Sequence, residues 1–124
     1  MTKEEKELLL KDLSARLPYR TLISIGEDGN KYRMEEIRNA LIGIDTFKIT
    51  IDGYDIEYIK PYLFPPSSIT KEQLELFDGT ILPNGHVVAS DLGFDYLNSI
   101  HVDYRGLIPM GLANDATGLN IYKL

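Results

Sequence analysis

FKITIDGYDIEY, residues 47–58, is the stretch on which the fold turns. Asp52-Gly53 suits a two-residue type I′ turn, in which both central residues need positive φ. That turn sets Ile51 opposite Tyr54, Ile49 opposite Ile56 and Phe47 opposite Tyr58, with all six on one face of a hairpin. On the other face Lys48 meets Glu57, an opposite-charge cross-strand pair. This register places Tyr54 and Tyr58 in the core.

Working toward the N-terminus, a second hairpin is expected around GEDGNKY, with Asp28-Gly29 at its tip and RTLISI and KYRMEEI as arms. NALIGID supplies a further short strand. Five strands with short loops between Arg20 and Phe64 suggest a small antiparallel SH3-like barrel. A curved open sheet covered by the first helix is the alternative. That helix is announced by Thr2 and Glu5, which fit a capping box, and by Leu9, Leu13 and Leu17, which recur every fourth residue. Pro18 stops it.

Toward the C-terminus, Pro61, Pro65 and Pro66 favour an extended crossing. Thr70 with Gln73 repeats the capping signature before KEQLELFD, and ILPNGHVV turns at Asn84-Gly85. Ser90 caps a helix over DLGFDYLNSIH, which sets Phe94, Leu97 and His101 on one stripe. Asp103 can cap one more turn, through Leu107, and NDATGLNIYKL ends as an edge strand or frays. The expected fold is α+β in a single domain, 1–124. Residues 1–66 form the helix and barrel-like part, and 67–124 a short helical C-terminal part sharing the core.

Composition narrows the function. The chain has no cysteine, which removes thiolate chemistry and disulfides. Its 13 bases against 19 acids give a net charge of −6, a field that opposes general nucleic-acid binding. No apolar run approaches the ~18 residues of a membrane span. MTKEEKELLLKDL lacks the apolar stretch of a signal peptide, so a cytoplasmic location is expected. His86 and His101 are the only histidines and have no metal-ligand spacing, so no metal site is expected. Serines 67, 68, 90 and 99 lie in no nucleophile elbow, and the glycines form no phosphate loop. No cofactor is implied, and the protein is not expected to be an enzyme.

HVDYRGLIPMGLA, residues 101–113, gathers the remaining candidates. His101 reads as a packing residue, Asp103 as a cap, and Tyr104 as a ring at the rim of the core. Beyond Pro61 the only cations are Lys71, Arg105 and Lys123, against seven acids. Arg105 fits either a structural pairing with Asp95, Asp103 or a tyrosine-rich strand surface, or a two-pronged contact with a phosphate or carboxylate. Tyr62 and Phe64, beside the prolines, are the candidates for protein interaction.

LLLKDLSARLPY, IDGYDIEYIKPYLFPPSSIT and FDYLNSIHVDYRGLIPMGLA resemble three blocks of a group of short uncharacterised proteins. These are encoded by phages and prophages of gut anaerobic, Bacteroidales-type bacteria. The resemblance covers most of the chain and carries no known reaction. It implies an accessory phage product working in the cytoplasm of the bacterial host cell. The leading expectation is a non-enzymatic module that binds a host protein. The alternative is a protein that sequesters a small anionic ligand, such as a signalling nucleotide, in antagonism of host defence. Arg105, Tyr104 and His101 would then line its site. Homo-oligomerisation stays open under either.

Overall fold

Thr2 starts the first helix through the expected capping box. The Glu5 N–H donates to Thr2 Oγ1 at 3.1 Å, and the Thr2 N–H donates to Glu5 Oε1 at 2.8 Å. Donation from the Thr2 backbone, then from its hydroxyl, holds the Glu5 carboxyl below the usual glutamate range. In the computed structural model, which describes residues 1–27, 31–36, 42–44, 49–51, 54–76, 79–83 and 86–122, this helix is α1, Lys3–Arg16. The fold is α+β, with an N-terminal helix and small sheets, in two compact units, Met1–Tyr62 and Leu63–Leu124.

In the first unit α1 buries Leu9 and Leu13 as expected, but Asp12 and Arg16 are fully buried on the same face. Their side chains meet twice, Nε to Oδ2 at 2.8 Å and Nη2 to Oδ1 at 3.0 Å. The buried face is therefore Leu9, Asp12, Leu13, Arg16, the i, i+3, i+4, i+7 set of one helix side. Leu17, expected on the stripe, is only half-buried, because Leu17–Tyr19 tightens into a 3₁₀ turn at Pro18.

β1 (Leu22–Glu27) pairs antiparallel with β2 (Lys31–Glu36), from Leu22 opposite Glu36 to Glu27 opposite Lys31. The hairpin tip Asp28-Gly29 lies outside the described residues. β3 (Ile42–Ile44), β4 (Ile49–Ile51) and β5 (Tyr54–Asp55) form a second sheet in that order. Ile51 stands opposite Tyr54, the register the 47–58 reading requires; Asp52, Gly53, Phe47 and Lys48 are outside the described residues.

The longer hairpin of that reading does not form. The Asp55 carboxylate accepts the Glu57 N–H at 3.0 Å, and this local bond turns Ile56–Tyr58 into a 3₁₀ turn. Ile56 is fully buried, whereas Tyr58, expected in the core, is 48% exposed. Glu57 pairs with Lys6 at 3.2 Å; its expected partner Lys48 lies outside the described residues. β6 (Ile59–Leu63) then returns to the free side of β1, with Ile25 opposite Ile59 and Ile23 opposite Pro61. Among the described residues the result is small open sheets and not a closed barrel. β3, β4 and β5 have only two or three residues each, too short to tilt and close, and the turn at Ile56 breaks the path from β5 to β6.

The second unit opens at Leu63, whose carbonyl accepts the Ala116 N–H at 2.8 Å. Phe64 forms a parallel bridge with Val102. After a 3₁₀ turn at Pro66–Ser68, α2 (Lys71–Leu76) starts from a capping box of Thr70 and Gln73. β7 (Thr80–Ile81) pairs with β8 (Val87–Val88), and the turn at Asn84-Gly85 is outside the described residues. Ser90 Oγ accepts the Gly93 N–H at 3.2 Å and caps α3 (Asp91–Ser99). β9 (Asn114–Asp115) follows. Ile69, Val87, Leu97, Val102 and Tyr104 make one core cluster of this unit, packed by Leu74, Phe94 and Tyr96.

Candidate functional site

α3 stops two residues before His101, so His101 is not on its apolar stripe. The His101 N–H donates to Asn98 O at 3.1 Å and the Val102 N–H to Leu97 O at 2.9 Å, the two bonds of a Schellman motif. His101 occupies the left-handed position of that motif, φ +62°, where glycine is usual. A side chain there costs about 1–2 kcal/mol. The imidazole is buried and stacked on Tyr122, with centroids 3.8 Å apart and planes at 13°. Tyr122 also packs at 5.7 Å on Phe64. The expected edge strand of NDATGLNIYKL is present only in Asn114–Asp115, and the tail then reaches back over His101 at Tyr122; residues 123 and 124 lie outside the described residues.

Asp103 is fully buried and spends both oxygens on the backbone. Oδ1 accepts the Leu107 N–H at 2.9 Å and Oδ2 the Ile108 N–H at 2.8 Å. The capping role read from sequence is thus present, over a turn and not a helix. Tyr104 is a core residue, its ring 4.8 Å from Phe94. The half-buried Arg105 also packs on this ring, its guanidinium 4.6 Å from the Tyr104 centroid. His101 and Tyr104 are thus engaged by different aromatic partners. Tyr62 and Phe64 are half-buried, Tyr62 by strand alternation and Phe64 beneath Tyr122.

Gly106 completes the segment at φ +77°, and a Cβ there would lie 3.1 Å from His86 Nε2. Gly106→Ala is expected to destabilise by about 1–2 kcal/mol, from the left-handed backbone alone. Urea unfolding checks this, and an unchanged midpoint would show that the loop relaxes at no cost. Among the described residues no group of three histidine, aspartate or glutamate side chains is placed to hold a metal ion.

A different surface of the same unit carries large apolar groups in water. Leu76 is 77% exposed, Leu92 80% and Val88 53%. Gln73 Nε2 donates to Tyr96 Oη at 3.3 Å, so α2 and α3 meet there. Leu76 lies one turn along α2 from Gln73, and Leu92 one turn along α3 from Tyr96. Thr80 pairs with Val88, four residues after Leu76 and four before Leu92. The end of α2, the base of the β7–β8 hairpin and the start of α3 follow one another along the chain, and each carries one exposed large apolar side chain.

The chain matches no family model, no curated protein and no solved structure. What the protein can do must therefore follow from this geometry. Sequence reasoning misses Leu76 and Leu92 because a leucine in a short helix is first counted as core. The signal lies in the wheel: Asp91, Leu92, Asp95 and Ser99 share one arc of α3, and that arc is otherwise polar.

Proposed function

We propose that the protein is a non-enzymatic binding module, a phage-encoded accessory factor whose partner is a host protein. The observation that carries this reading is the exposure of Leu76, Val88 and Leu92 on three successive elements of the second unit. Large apolar side chains held in water are stabilised when covered, by about 25 cal/mol for each Å² removed from solvent. Where they lie side by side they mark an interaction surface. The fate of the polar groups at 101–108 supports it too, since both Asp103 oxygens hold backbone N–H groups.

A photo-crosslinking residue at position 92, in an extract of the host bacterium, tests the proposal. The expected result is one saturable protein adduct, competed by excess wild-type protein and not by Leu76→Ser/Leu92→Ser. The same residue placed at the exposed Ser14 of α1 should give none. No saturable adduct at position 92 would sink the reading.

A further inference from the structure

We infer that the Leu76–Val88–Leu92 surface docks a cationic amphipathic helix of a partner protein, an assignment that rests on the binding-module reading. Charge identifies the occupant. On α2, Glu72 and Glu75 are exposed beside Leu76; on α3, Asp91 and Asp95 are exposed beside Leu92. Glu72 precedes Leu76 by four residues and Asp95 follows Leu92 by three, so each carboxylate shares a helix face with its leucine. Lys71, at the first position of α2, is the one base on these two helices.

An apolar centre with an anionic rim is complementary to leucine-type side chains flanked by lysine or arginine. A helix delivers that pattern from a single segment, with apolar anchors at i, i+3 and i+4 and bases on both flanks. The same rim argues against other occupants. A second copy of this chain would set these four carboxylates against themselves, and an anionic lipid surface would meet them with like charge. Val88 at the hairpin base and the two leucines on separate helices suit a ridge laid across them, since no one element carries all three.

The test uses the full chain and two labelled synthetic helices of about 18 residues, long enough to hold helical structure. Both carry the same leucine face; one is flanked by lysine and the other by glutamate. Fluorescence anisotropy is expected to show binding of the lysine peptide at least about tenfold tighter than the glutamate peptide. Leu76→Ser/Leu92→Ser should weaken the lysine peptide by at least about tenfold, as expected for central anchors. Leu119→Ser, an exposed leucine outside α2, α3 and the β7–β8 hairpin, should leave it unchanged. Far-ultraviolet circular dichroism confirms that the variants remain folded.

Equal affinity for the two peptides, or no loss in the double leucine variant, would overturn the inference. So would a dimer of the protein alone that the double variant abolishes, or binding to vesicles rich in anionic phosphatidylserine. The two readings fail separately. A saturable adduct at position 92 with equal peptide affinities removes only the cationic helix, whereas the absence of any adduct removes the binding module itself.

Discussion

Asp12→Ala is expected to cost about 3–5 kcal/mol of unfolding free energy, more than any other substitution proposed for this protein. The carboxylate and the Arg16 guanidinium are both fully buried, and they meet through two bonds of 2.8 and 3.0 Å, from Nε and Nη2. Removing the carboxylate leaves a guanidinium charge in a site that water does not reach. Alanine is the better helix former by roughly 0.5 kcal/mol, so propensity works against the loss and does not explain it. Domains are commonly stable by only about 5–15 kcal/mol, so this one change can take a third or more of the total.

The pair need not be a net source of stability. Desolvating two ions offsets much of their attraction, and apolar replacements of similar volume are often neutral or better. Asp12→Leu/Arg16→Met should therefore recover most of what Asp12→Ala loses, measured by urea unfolding. If Asp12→Ala lost under about 1 kcal/mol, the pair would behave as a solvated surface contact. Recovery in the double variant would assign the pair to specificity, fixing which face of α1 is turned inward.

That pair also shows where the sequence is silent. Leucines at 9, 13 and 17 are read as one stripe because hydrophobic periodicity counts only apolar positions. The buried side includes two charges, which become acceptable only once each meets the other four residues away. Local chemistry is more legible. Thr2 with Glu5, Thr70 with Gln73, and Ser90 all cap helices as read, because a cap needs only side chains within one turn. The 51–54 register is legible for the same reason.

What fails is competition between two local options. Asp55 lies in an alternating strand pattern, yet its carboxylate can also take the Glu57 N–H, and that bond wins. The barrel expectation fails with it. At the candidate site, His101 closes a helix where glycine is the usual signal, so its sequence context reads as continuing helix. Its partner Tyr122 lies twenty-one residues on, in a polar tail whose return no local pattern announces.

Asp103→Ala is the second large effect, an expected loss of about 2–4 kcal/mol. Hydrogen bonds to a charged group contribute about 1.5–3 kcal/mol each, and a buried donor left without its acceptor costs about 1–3 kcal/mol. Here one carboxylate serves two successive N–H groups, those of Leu107 and Ile108, and Leu107 is itself fully buried. Asp103→Asn is no remedy. Its amide offers an oxygen to one N–H and sets an NH₂ against the other, donor facing donor. Asparagine is therefore expected to lose at least half as much as alanine, although it matches aspartate in size. Thermal and urea unfolding of both variants measure this. The result also bears on chemistry at this segment. A carboxylate poised for proton transfer would tolerate asparagine structurally and lose only activity. A carboxylate that ties down the 107–108 backbone must lose stability in both variants. If Asp103→Asn kept wild-type stability, the two bonds would be dispensable, and Asp103 would return to the residues whose polar atoms are available to a ligand.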